Sequence, residues 1–136
     1  MNARVNVRRL LGGLILIVGA TVAQAADLVV IANPSLTLTG GDVREIYLGE
    51  KQFAGSVRLA PVDNSAAQEE FLRRVLSMEA AKYNATWTKK GFRDGVNPPS
   101  AKSNDLEVID FVKRTPGAVG YISSQPPAGV NVVQKY

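Results

Sequence analysis

The sequence predicts an α/β fold: a three-layer sandwich built on a mixed or mainly parallel sheet. Three observations carry that expectation. Short, β-branched apolar runs recur along the chain, at Asp27–Ala32 (DLVVIA), Val57–Val62 (VRLAPV), Ala118–Ile122 (AVGYI) and Val130–Val133. Capped segments of helical period lie between them. Strands alternating with helices bury both sheet faces, which makes three layers. From residue 26 onward the chain has the length of one domain, with room for one modest core.

Each element has a local reason. Asp27–Ala32 is nearly continuously apolar, as a strand buried on both faces is, and Asn33-Pro34 stops it. Thr39 then caps a helix whose first turn holds Asp42, where the helix dipole favours an acid. Val43, Ile46 and Tyr47 form its apolar face, Gly49 ends it, and Lys51–Ser56 reads as a turn. Val57–Val62 alternates as a second strand, with Pro61 placing that end at an edge or exit.

Ser65-Ala66-Ala67-Gln68 has the pattern of a capping box. Phe71, Leu72, Val75, Leu76 and Met78 follow as one helical stripe, with Glu69–Arg73 and Glu70–Arg74 as i,i+4 pairs. A helix over residues 80–89 carries Tyr83 and Trp87 on one face and closes at Gly91. Residues 93–102 read as a Gly/Pro loop. Ser103 or Asn104 caps the next helix, Asn104 and Glu107 make its capping box, and Leu106, Ile109, Phe111 and Val112 are its apolar residues. Pro116-Gly117 ends it. Gly120 inside the following strand suggests close approach by another backbone.

The first 25 residues have a different character. Arg4, Arg8 and Arg9 precede an apolar run, Leu10–Val22, and Ala23-Gln24-Ala25 follows as a small-x-small site. That order is expected of a cleavable signal peptide over residues 1–25, leaving a single domain over 26–136. The run is shorter than the roughly 20 residues a membrane span needs. The periplasm is therefore the expected location, or the exterior with the same leader, with no span after cleavage.

Charge and composition narrow the function. Of 16 Lys and Arg, three lie in the leader, which leaves 13 cations against 12 acids. That near balance gives nucleic-acid binding no electrostatic support. The chain has no His and no Cys. It lacks the usual metal ligand, the usual general base near neutral pH and every His-dependent triad, so neither catalysis, a metal nor a cofactor is expected. Lys89, Lys90, Arg93 and Lys102 flank the Gly/Pro loop as a solvated surface with Asp94 and Asp105 among them. Tyr83 and Trp87 read as packing residues, and Glu69, Glu70 and Glu79 as a salt-bridged surface.

Four segments in order resemble the substrate-binding proteins of phosphate ABC transporters, the PstS-like proteins. They are Leu38–Gly49 (LTGGDVREIYLG); Leu59–Val62 with Phe71 and Val75–Leu76; Trp87, Phe92 and Gly95; and Thr115–Ile122 (TPGAVGYI). The resemblance implies one lobe of a periplasmic-binding-protein-like domain and a role in anion binding and phosphate transport. It places the anion triplet of that family at Ser65-Ala66-Ala67. Ser65 matches, the Gly and Thr do not, and Pro61 stands where the arginine falls. The expected oxyanion site is Ser35, Asn64, Ser65, Ala66 and Ala67. Its donors are the Ser65 hydroxyl and the N–H groups of a helix start, unless Ser65 and Gln68 satisfy those groups as a cap. Such a site would hold phosphate or a related oxyanion weakly. The alternative is an adaptor that has lost solute binding. It would meet an envelope protein, or a second copy, through a face holding both the Ser65 turn and the Asn33–Ser35 loop.

Overall fold

The structure, a computed structural model, describes residues 12–17, 19 and 27–136. The basic segment with Arg4, Arg8 and Arg9 and the Ala23-Gln24-Ala25 site lie outside the described residues, as does part of the apolar run between them. No helix among the described residues is long and apolar enough to cross a membrane.

The strands are β1 (Val29–Ala32), β2 (Phe53–Ala54), β3 (Val57–Arg58), β4 (Ala60–Asn64), β5 (Ser100–Lys102), β6 (Ala118–Ile122) and β7 (Asn131–Lys135). The helices are α1 (Gly40–Tyr47), α2 (Gln68–Phe71), which runs into a π-helical turn at Leu72–Leu76, α3 (Ala80–Asp94) and α4 (Asp105–Arg114). The main sheet has the order β5-β4-β6-β1-β7, and β2–β3 is a separate hairpin. β5, β4 and β6 are parallel, while β1 runs antiparallel to both β6 and β7. The sheet is therefore mixed, with a parallel half and an antiparallel half.

Alternation along each strand divides the core in two. On one face Val30, Ala32, Val119 and Tyr121 meet Ile46 and Tyr47 of α1, Phe71, Leu72 and Leu76, and Tyr83 and Trp87 of α3. On the other, Val29, Ile31, Val62, Ala118 and Ile122 meet Val108 and Val112 of α4. This explains the unbroken apolar run of β1: all four of its residues are buried, two on each side.

Capping follows the sequence at two helices. At α1 the Asp42 carboxylate accepts from the Thr39 N–H at 2.8 Å, which holds its pKa below the usual carboxylate value, and from Lys51 Nζ at 3.2 Å. At α4, Asn104 Oδ1 accepts from the Glu107 N–H at 3.0 Å, while Glu107 Oε2 accepts from the Ser103 N–H at 2.8 Å.

Elsewhere the structure corrects the expectation. The turn at Lys51–Ser56 contains β2 and opens a hairpin with β3, and Leu59 separates β3 from β4. β4 is an inner strand, yet Pro61 pairs only with β6, because β5 joins from Val62 onward. A missing N–H costs nothing on a side where no strand lies. The stripe from Phe71 to Met78 is not one α-helix: the π turn interrupts it and Ser77, in the left-handed region at φ 53°, ends it. Arg73 pairs with Glu70 rather than Glu69. α3 runs through Gly91 and closes at Gly95, φ 67°. Leu106 faces solvent, and Val108 takes the buried place on α4.

Gly120 makes room for a helix side chain, not for another backbone. A Cβ there would lie 2.4 Å from Val108 Cγ1 and 3.3 Å from Val112 Cγ2. Gly120→Ala is expected to cost about 1–3 kcal/mol through overpacking. Adding Val108→Ala should recover part of that loss in urea unfolding, and a double variant no better than the single one would place the strain elsewhere.

Candidate functional site

The parallel half of the sheet gathers the ends of β4, β5 and β6 in one place. β4 ends at Asn64, whose buried side chain holds that end together. Its Oδ1 accepts from the Ala66 N–H at 3.1 Å, an Asx-type turn. Its Nδ2 donates to Asp105 Oδ1 at 2.7 Å and to the Tyr121 carbonyl at 3.0 Å. The Ser65 N–H donates to the Lys102 carbonyl at the end of β5, at 2.8 Å. Asp105 Oδ2 accepts from the Ser123 N–H just past β6, at 3.1 Å. Asn64 and Asp105 thereby join three strand ends and the start of α4.

This is also where the chain changes side. α2 and α3 follow β4 and cover one face, whereas α4 follows β5 and covers the other. Open α/β sheets bind ligands outside the carboxyl ends of their strands at such a reversal. Ser65 and Ala66 are exposed there, and Ala67 is buried.

Behind the turn lies a buried carboxylate. Asp63 Oδ2 accepts from the Tyr83 hydroxyl and Oδ1 from the Tyr121 hydroxyl, both at 2.8 Å. Burial pushes the Asp63 pKa up, and the phenolic hydrogen bonds and one from Gln68 offset this in part. Burial, then the Asp63 charge, raise both tyrosines above their ordinary value. Phe71 stacks on Tyr121 with ring centres 3.9 Å apart, and the Tyr47 hydroxyl donates to the Val62 carbonyl at 2.8 Å. Tyr83 and Trp87 are packing residues, as their spacing predicts, and the Trp87 Nε1–H donates to the Tyr47 carbonyl at 3.1 Å.

The structure assembles only part of the expected site. Asn64, Ser65, Ala66 and Ala67 are together, but the Asn64 amide is committed to the fold. Ser65 is not a cap: α2 starts at Gln68, Ala67 precedes it, and no side chain caps it. A four-residue helix with Glu69 and Glu70 in its first turn offers an anion little of the dipole expected of a long helix. Ser35 lies at the opposite end of the sheet. Its Oγ accepts from the Gly117 N–H at 3.2 Å, just before β6 begins, and it lines a separate hollow of about 290 Å³ with Leu36 and Lys51. The cause is strand direction: β1 is antiparallel to β6, so the loop after β1 returns to the amino ends of β4 and β6. The Ser65 turn and the Asn33–Ser35 loop, expected on one face, therefore lie at opposite ends of the sheet.

Sequence reasoning missed Asp63, Asp105 and Tyr121 as the framework of this end. One signal was present. Two tyrosines in apolar positions, Tyr83 and Tyr121, need buried polar partners. Among the described residues, no group of three or more Asp and Glu side chains is placed to hold a metal ion.

No protein-family model matches the chain, and no curated protein matches it. Among solved structures, an ABC-type phosphate transport receptor from Vibrio cholerae is similar at 18% identity with a TM-score of 0.48. The match covers 82% of this chain and 50% of the receptor, so the chain spans about half the length of that protein.

Proposed function

We propose that the chain is an exported, non-enzymatic solute-binding lobe that works in the periplasm and recognises phosphate or a related oxyanion weakly. The observation that carries this reading is the exposed Ser65–Ala66 turn at the carboxyl ends of three parallel strands, where the helices part to opposite faces. Support for the oxyanion class comes from the four segments that resemble phosphate-binding proteins. The leader pattern supports export, and the lack of any His or Cys supports binding without catalysis.

A second reading, an envelope adaptor, is favoured by the electrostatics of the same turn. Asp63 lies behind it and Asp105 beside it, and Pro61 stands where the resemblance would place an arginine. A bidentate guanidinium is the usual grip on phosphate. Here a partner would have to bring one.

Calorimetric titration of residues 26–136 with phosphate, then sulfate and phosphonates, decides between them. The binding reading expects saturable heat that weakens in Ser65→Ala. That variant should keep its stability to within about 0.5 kcal/mol, since Ser65 caps nothing. No heat at millimolar phosphate, with a specific envelope partner recovered whether or not phosphate is present, would favour the adaptor.

A further inference from the structure

α3 has three sides, and one of them is basic. Tyr83 and Trp87 point into the core. Lys82, Lys89, Lys90 and Arg93 recur at i, i+7, i+8 and i+11, which brings them to one outward face around a shallow hollow of about 350 Å³. The face runs roughly 16 Å along the helix. Asp94 is the only acid in α3; it pairs with Arg93 at 3.1 Å and faces Lys90. Lys82 and Lys89 form no ion pair among the described residues. With 13 cations and 12 acids over residues 26–136, four cations on one helix face amount to a separation of charge. On the adjoining side of α3, three residues after Lys89, the Phe92 ring is 90% exposed and lines a second hollow with Asn84 and Thr88.

We infer that this outer face of α3 docks on an anionic phospholipid bilayer. The cations supply attraction to lipid phosphates and can reach the headgroups on long stems. Phe92 selects the bilayer over a soluble polyanion. A dissolved phosphate chain would leave the ring in water, whereas a lipid interface takes up an exposed aromatic side chain at the border of a basic face. The inference is independent of the oxyanion site, which lies at the strand ends and uses none of these side chains.

Sedimentation with lipid vesicles tests it. Among the described residues every helix and strand lies within residues 29–135, so residues 26–136 are the form tested. Vesicles of phosphatidylcholine with about one-third phosphatidylglycerol should bind this protein, pure phosphatidylcholine should not, and high salt should release it. Lys82→Gln with Lys89→Gln should weaken partitioning roughly tenfold to thirtyfold. Phe92→Ser should weaken vesicle binding but leave any binding of soluble polyphosphate unchanged. Circular dichroism and the melting midpoint check that each variant is folded, and Lys89→Gln with Arg93→Gln is a second charge variant if the first is not. Equal binding to both vesicle types, or charge variants that bind as the parent does, would overturn the inference. Vesicle binding that is indifferent to Phe92→Ser, together with equally tight polyphosphate binding, would overturn it in favour of a soluble polyanion.

Discussion

Asp63→Ala is expected to lower the unfolding free energy by about 3–5 kcal/mol, among the largest effects of any single change in this chain. The substitution takes the carboxylate acceptor from two buried phenols, Tyr83 and Tyr121, each bonded to it at 2.8 Å. Both buried hydroxyls would lose this partner, and truncation adds a void. Asp63→Asn should cost less, about 1–2 kcal/mol, because one acceptor oxygen remains and a single phenol must turn. The pH dependence separates charge from packing. Burial raises the Asp63 pKa, so the folded chain holds that proton more tightly than the unfolded chain does. Its contribution to stability is fully present below the ordinary value of 3.8 and is lost as pH rises through the raised folded value. Asp42 works with the opposite sign, since the Thr39 N–H lowers its pKa. Urea unfolding of the parent and Asp63→Asn across that window should therefore show the parent gaining on the variant as pH falls. A difference that stays flat would mean that Asp63 is no more costly to ionise in the fold than in water.

Gly117→Ala should be nearly as damaging, at about 3–4 kcal/mol. Gly117 lies at φ 81°, and a Cβ there would fall 2.1 Å from the Arg58 carbonyl oxygen. That oxygen is backbone and cannot rotate away. The Ala60 N–H donates to the Gly117 carbonyl at 2.8 Å, so moving this turn also loosens the first parallel pairing of β4 with β6. Gly55→Ala is the control. Gly55 has φ 60° with nothing within 4 Å of its would-be Cβ, so only the conformational penalty of about 1–2 kcal/mol remains. Equal losses in the two variants would show that the Arg58 contact adds nothing.

Legibility in the sequence follows how local each cause is. β6 is read to the residue because its apolar run stands between Pro116-Gly117 and a polar loop. The start of α4 is read because Asn104 and Glu107 cap it from three residues apart. β5 is not legible: Ser100–Lys102 is a strand because Val62–Asn64 lies beside it, and its own residues show no alternation. The π turn is hidden for a similar reason, since Leu72–Leu76 has an ordinary helical composition. Of the candidate site, the Ser65 turn is legible because a strand ends there and a helix begins. Ser35 is misplaced because composition does not encode strand direction. Asp63 looks like a surface charge until Tyr83 and Tyr121, distant in sequence, are seen to converge on it.

The strand at the heart of the antiparallel half bears on how the chain acquires its shape. Among the described strands β1 is synthesised first, yet both of its neighbours, β6 and β7, lie about ninety to one hundred residues downstream. Closing a loop of that size costs entropy before any pairing repays it, so the sheet pairing of β1 is slow beside its local packing against α1. A nascent chain lacking β6 can bury Val30 and Ala32 against α1 but has no strand to pair with β1. The main sheet therefore cannot close around β1 until β6 has been made, and until then Val29–Ala32 is an unpaired segment that an attending chaperone would have to shield.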